Sequence, residues 1–270
     1  MENLQSDHLD TQNLYRDMQK RTGGEIYIGV VGPVRTGKST FIKRFMDVAV
    51  LPYMEDAAQK TRAQDELPQS AGGRTITTTE PKFIPQEAVE LKLAGEVTIR
   101  VRLVDCVGFM VEGAAGHLED GAERLVKTPW YDHEIPFTQA AELGTRKVIT
   151  DHSTIGVVVT TDGSFSDLPQ ETYLDAENQA ISELKKLHKP FLVLVNSSHP
   201  SSRTAREAAE RIEKQHSVTA MPVNCAQLSE EDIRQIMEQI LYEFPISRVE
   251  FYMPKWVEML SPQHELKAQI

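Results

Sequence analysis

The chain has 270 residues, 40% of them hydrophobic, which is enough for one large α/β domain or a domain with an appendage. Its 29 basic and 40 acidic residues give a net charge of −11, which argues against nucleic-acid binding through a basic face and against direct adhesion to an anionic bilayer. No apolar run approaches the roughly 18 residues of a membrane span, no signal-peptide pattern opens the chain, and Cys106 and Cys225 lack metal-ligand spacing, as suits a reducing cytosol.

Residues 1–22 are polar, with only a weak apolar spacing at Leu9, Leu14 and Met18, and read as a frayed N-terminal helix or arm ended by Gly23-Gly24. The apolar run Ile26–Val31 reads as a buried strand. It leads directly into G-x-x-x-x-G-K-S, from Gly32 to Ser39, and then into Phe41, Ile42, Phe45 and Met46 at helical spacing. Strand, glycine loop and helix together make a phosphate cradle, because backbone N–H groups and the helix N-terminus converge on one anion. A glycine turn followed by a surface lysine is the competing reading, and it leaves the flanking strand and helix unexplained. The residues assigned to the nucleotide are Gly32, Pro33, Val34, Arg35, Thr36, Gly37, Lys38, Ser39 and Thr40. Lys38 is expected to reach the β- and γ-phosphates, and the Ser39 hydroxyl to sit on Mg²⁺. Arg35, inside the loop, either stabilises transition-state charge, in its own site or a neighbour's, or is simply solvated.

The helix is expected to run to about Val50 and stop at Leu51-Pro52, followed by a long connection over 53–74. The hydroxyl-rich segment Arg74–Pro81 lies where switch NTPases keep a threonine over Mg²⁺ and γ-phosphate, although β-branched threonines also suit a sheet edge. Lys82–Leu93 and Glu96–Val104 alternate apolar and polar residues as an antiparallel hairpin. The second strand ends in Asp105-Cys106-Val107-Gly108. Asp105 takes the Walker B position, expected to hold Mg²⁺ through water, and the Gly108 N–H is expected to feel the γ-phosphate. Phe109 stands where a water-orienting glutamine is expected, so intrinsic turnover should be slow.

Residues 110–138 read as a solvated insertion, with Trp130, Tyr131 and Phe137 as a packing or interface patch. A helix over 139–150 precedes Ile155–Thr160, a buried parallel strand ending in Thr161-Asp162-Gly163. Leu174–Leu187 is an amphipathic helix. The next strand, Phe191–Val195, ends in Asn196-Ser197-Ser198-His199 where a GTPase would have N-K-x-D. Asn196 keeps its place, Ser197 replaces the lysine and His199 the aspartate, so the carboxylate that selects guanine is absent, which favours ATP, or loose base selectivity, over strict GTP. Asn196 and Ser197 complete the nucleotide assignment. A helix over 203–215, a strand within 218–225 and a helix over 230–244 follow, with Val249–Tyr252 alternating like a further strand.

The order of elements is similar to that of the translation-factor-related P-loop GTPases. Longer phrases narrow it: Arg21–Tyr27, Val34–Phe41, Ala63–Ser70, Thr78–Phe83 and Glu142–Ile149 together resemble the stage IV sporulation protein A family, the morphogenetic ATPase of the spore coat in endospore-forming bacteria. That resemblance implies ATP as substrate with Mg²⁺, and polymerisation with itself on the mother-cell face of the forespore. It implies recruitment by a small amphipathic membrane peptide, contact with other coat proteins, and a role as basement of the coat. It also implies Lys38 and Ser39 on phosphate and metal, Asp105 as the Walker B acid, and Thr78 and Thr79 as sensor threonines, leaving Thr77 outside the motif. Catalytic roles thus fall to Lys38, Asp105, Thr78, Thr79 and Arg35, with Ser39, Thr78 and Asp105 around Mg²⁺.

The expected fold is α/β: a P-loop NTPase with a mostly parallel sheet, helices on both faces and one antiparallel strand. The expected organisation is an arm over 1–22, the ATPase domain over 23–245, and over 246–270 the start of a further domain cut short. A GTPase-type switch with relaxed base selectivity is the alternative. A P-loop kinase fits less well, since no arginine cluster offers a phosphate-clamping lid, and a scaffold with a vestigial site is a fourth reading.

Overall fold

A computed structural model describes residues 19, 22–68, 80–93, 97–114, 118–119, 122–165, 168–244, 261 and 264. The ordered elements are β1 (Glu25–Val31), α1 (Lys38–Phe45), α2 (Ala57–Asp65), β2 (Lys82–Leu93), β3 (Val97–Asp105), the short pair β4 (Leu118–Glu119) and β5 (Ala122–Glu123), β6 (Leu125–Thr128), β7 (Tyr131–Pro136), α3 (Phe137–Lys147), β8 (Ile155–Thr161), α4 (Leu174–Lys186), β9 (Phe191–Asn196), α5 (Arg203–His216), β10 (Ala220–Val223) and α6 (Glu230–Tyr242).

Six strands form one sheet in the order β10-β9-β8-β1-β3-β2. All neighbours are parallel except β2, which pairs antiparallel with β3 at the edge. The strands buried on both faces are near-continuous aliphatic runs: all seven residues of β8 and all six of β9 are buried. Alternation then splits the core into two layers. Ile28, Val30, Val157, Leu192 and Leu194 pack with Phe41, Ile42 and Phe45 of α1 and Ile233, Ile236 and Ile240 of α6. Val31, Val104, Val158, Val193 and Val195 pack with Ala180, Ile181 and Leu184 of α4 and Ala208, Ala209 and Ile212 of α5 on the opposite face. Helices therefore cover both faces of a mostly parallel sheet with one antiparallel strand, and the carboxyl ends of β1, β3, β8, β9 and β10 meet along one edge, where ligands bind in open α/β sheets.

Three local expectations are corrected. The connection after α1 contains α2, whose N-cap Asp56 accepts hydrogen bonds from the Ala58 and Gln59 N–H groups. The stretch read as a solvated insertion contains the β6–β7 hairpin, which runs directly into α3. Within that stretch Phe137 is fully buried, Trp130 half-buried and Tyr131 exposed, so of the three Phe137 is the core anchor. Past Phe45 and again past Lys147 the chain continues helical but widens to a π-type turn, over Met46–Val50 and Val148–His152. The expected N-terminal arm over 1–22 falls almost wholly, and the strand over 249–252 wholly, outside the described residues.

Candidate nucleotide-binding site

The phosphate loop leaves β1 at Val31 and re-enters regular structure at Lys38. Its turn into α1 needs a left-handed residue at Gly37 (φ 99°), and a Cβ there would stand 2.3 Å from Asn196 Nδ2, so glycine is required on both counts. Thr36, fully buried, stitches the loop shut: its hydroxyl lies 3.0 Å from Pro33 O and 2.6 Å from Val159 O. No side chain caps Gly37, so the first-turn N–H groups of α1 carry the helix's positive end without a side-chain competitor. Arg35 adopts a left-handed φ of 61° on the exposed side of the loop.

Three side chains converge at this turn. Lys38 is 4% exposed and its Nζ donates to Pro33 O at 2.6 Å. Burial holds its pKa below the ordinary lysine value, and the neighbouring Cys106 and Asp105 act in the opposite sense. The Ser39 hydroxyl donates to Asp105 Oδ2 at 2.7 Å. Register explains the meeting: Asp105 pairs with Val30 across β1 and β3, so the strand's acid sits beside the start of the loop. Asp105 Oδ1, by contrast, is buried and has no hydrogen-bond partner among the described residues. Burial pushes the Asp105 carboxyl upward, against the Ser39 hydrogen bond and the Lys38 charge. A buried carboxylate oxygen without a donor, next to a serine oxygen, is a hard-oxygen pair that suits Mg²⁺. Ser39 and Asp105 thus fit the metal; Thr78 and Thr79 lie outside the described residues. Thr40 follows in the first turn of α1.

Gly108 and Phe109 close the other side. The Gly108 N–H, expected to face a γ-phosphate, instead donates to Thr145 Oγ1 at 3.1 Å. Phe109 donates its N–H to Gly32 O at 3.0 Å and accepts the Val34 N–H at 2.9 Å, which clamps the second switch segment to the phosphate loop. Its ring is fully buried among Val31, Val34 and Val104. The residue in the glutamine position is a core anchor, with no polar atom to offer a water.

At the carboxyl end of β9, Asn196 is buried and bridges two elements. Its Nδ2 donates to Thr36 O at 2.9 Å, and its Oδ1 accepts the Cys225 N–H at 3.0 Å. Ser197 is also buried; its Oγ accepts the His199 N–H at 3.0 Å and lies 3.4 Å from Ser164 Oγ. Ser197 and His199 line an open cleft of about 550 Å³ with Asp162, Ser164, Gln170 and Thr204. Two participants escaped the sequence reading, Thr145 and the turn after β10 at Asn224–Gln227. The first is a threonine in the last turn of a helix and the second a short polar turn, and only the fold brings them to this edge.

Residues 9–245 match the family described as Stage IV sporulation protein A, ATPase domain. Stage IV sporulation protein A of Clostridioides difficile (strain 630) is 49% identical over 258 residues, covering 96% of this chain and 52% of that protein. The proteins of the same name from Bacillus anthracis and Bacillus subtilis (strain 168) are each 44% identical over 259 residues, covering 96% of this chain and 53% of theirs. The chain thus spans about half the length of these curated relatives. Crystal structures of two SsGBP variants align with 87% of this chain and 64% of theirs at 13% identity, with TM-scores of 0.43 and 0.44. With a family match over most of its length and a nucleotide edge built as described, the chain belongs to the stage IV sporulation protein A family and carries its ATPase domain, a sporulation-related ATPase.

Proposed function

We propose that the chain binds ATP with Mg²⁺ at Lys38, Ser39 and Asp105, hydrolyses it slowly, and uses the nucleotide cycle to drive self-assembly into the basement layer of the spore coat. The observation that carries this reading is the meeting of Lys38 Nζ, Ser39 Oγ and Asp105 Oδ1, which has no hydrogen-bond partner among the described residues, at the uncapped start of α1. Lys38 lies folded onto Pro33 O and would swing to the β- and γ-phosphates. Ser39 and Asp105, with Thr78 from the first switch, would hold the metal, and Thr79 would stand beside Thr78. When bound, Mg²⁺ supplies charge neutralisation on the β- and γ-phosphate oxygens. The loop N–H groups from Arg35 to Thr40 would orient the phosphates, and Arg35 stands at the exposed rim where its charge would meet the transition state or a neighbouring protomer. Turnover is slow because Phe109 offers no polar group to a water.

The remaining expectations belong to the same reading. The chain polymerises with itself at the mother-cell side of the forespore surface, recruited by a small amphipathic membrane peptide and bound by other coat proteins. No described helix is long and apolar enough to cross a membrane, which is compatible with recruitment by a partner. The arm over 1–22, the ATPase domain over 23–245 and the start of a further domain over 246–270 are the proposed organisation.

Base choice separates this reading from a GTPase-type switch with relaxed selectivity. His199 stands on the cleft where a guanine-reading carboxylate would act. Unlabelled ATP and GTP competing against a fluorescent nucleotide should show ATP as the equal or better ligand, and His199→Asp should raise the GTP-to-ATP affinity ratio by about tenfold or more. A hundredfold preference for GTP in the parent chain would overturn the ATP assignment.

A further inference from the structure

Thr145 sits in the last turn of α3, in the Glu142–Ile149 phrase, and is fully buried. Its hydroxyl donates to Ala141 O at 2.8 Å and accepts the Gly108 N–H at 3.1 Å. Since a hydroxyl has one proton, and Ala141 takes it, Thr145 faces Gly108 only as an acceptor. A phosphate oxygen is also only an acceptor, and a stronger one because it is charged.

Gly108 lies between that threonine and the phosphate-binding lysine. A Cβ built on it would stand 2.6 Å from Lys38 Nζ, so its backbone abuts the ammonium that would meet a γ-phosphate. Its φ of 100° belongs to glycine, and without a side chain the peptide before it can rotate. Both flanks are fixed. Asp105 ends β3, and Phe109 is clamped to Gly32 and Val34 with its ring in the core. Rotation is therefore confined to Cys106–Gly108.

We infer that Thr145 is a positioning residue that holds the Gly108 N–H when no γ-phosphate is bound, and that the γ-phosphate of ATP takes this N–H from it, releasing α3. This rests on the proposal that ATP phosphates reach Lys38. The exchange gives the site a means of telling ATP from ADP, and it has a route outward. The first turn of α3 is tied to the β6–β7 hairpin and its approach, the Phe137 N–H donating to Arg124 O at 2.8 Å and the Thr138 N–H to Glu123 Oε1 at 3.0 Å. That hairpin exposes Leu125 and Tyr131. A change in α3 is thus delivered to an exposed surface rather than absorbed in the core.

The test is hydrogen exchange on this chain with Mg²⁺ and either ADP or a non-hydrolysable ATP analogue, together with affinities for both nucleotides. In the parent, amides around Thr145 should exchange severalfold faster with the analogue than with ADP, while residues 32–40 are protected by both. Thr145→Val leaves the Gly108 N–H without its acceptor in the ADP state only. It should abolish the α3 difference and raise the ATP-to-ADP affinity ratio by about threefold to tenfold. Thr145→Ser restores the hydroxyl and should restore the parent ratio. Equal α3 exchange in both parent states, or a parent ratio in Thr145→Val, overturns the inference while residues 32–40 stay protected. Absence of protection at 32–40 with either nucleotide overturns the nucleotide reading itself, and this inference with it. The parent measurement decides the matter even if Thr145→Val does not fold.

Discussion

Ser39 Oγ donates to Asp105 Oδ2 across 2.7 Å, joining residues 66 positions apart, at the start of α1 and the end of β3. One carboxylate oxygen is thereby engaged while the other, Oδ1, is buried without a partner among the described residues. The charge of Asp105 is a cost to the unliganded fold, because burial raises its pKa above the ordinary 3.8 against the Ser39 hydrogen bond and the Lys38 charge. A cost of this kind is expected where function requires a group that packing alone would reject.

The sign of the pH effect follows. An acid whose folded pKa is raised contributes stability that is fully present below the unfolded value and lost as pH rises through the folded one. Asp105→Asn removes that titration. Without metal or nucleotide, urea unfolding should show the variant gaining on the parent as pH rises from about 4 towards neutrality. Its Mg²⁺ affinity in the presence of nucleotide should fall by about 10–100-fold. A variant less stable than the parent at neutral pH, with metal affinity unchanged, would contradict the assignment.

Asn196 is the keystone between the phosphate loop and the turn after β10, since one amide satisfies both Thr36 O and the Cys225 N–H. Asn196→Ala leaves both groups buried and unsatisfied, at a cost of about 2–4 kcal/mol. Chemical denaturation should report that loss, and nucleotide affinity should fall with it because the loop closes on Thr36. Stability within about 0.5 kcal/mol of the parent would mean that water replaces the amide at no cost.

Gly108→Ala places a Cβ 2.3 Å from Gly32 O at a φ of 100°. Backbone strain of about 1–2 kcal/mol adds to the displacement of the phosphate loop. The variant should be destabilised in urea and lose nucleotide binding together, whereas Ala at exposed Gln59 should change neither.

These dependencies were legible in the sequence to unequal degrees. The β1–loop–α1 unit was plain because its signal is local: an aliphatic run, a glycine loop and a helical repeat in immediate succession. The antiparallel β2–β3 hairpin showed through its period of two. Helix α2 did not, because Ala63 is its one buried residue and its start depends on the Asp56 cap. The β6–β7 hairpin was hidden for a similar reason, as the first four residues of β7 are all exposed and carry no apolar alternation.

Within the site, the sequence could align Lys38, Ser39 and Asp105, since each lies in a recognisable phrase. It registered that Phe109 replaces a glutamine, but not that its ring is a core residue and its backbone a clamp. Thr145 was out of reach altogether, because its contact with Gly108 spans 37 positions and arises from how α3 packs against the end of β3.

The central claim is that Lys38 serves a slow, metal-dependent ATPase. The most direct measurement is release of inorganic phosphate from ATP with Mg²⁺, by the parent chain and by Lys38→Met, which keeps the buried stem and removes the charge. The parent should turn over slowly but measurably, and the variant should lose at least about a hundredfold while remaining folded. Equal phosphate release by both proteins would contradict the account.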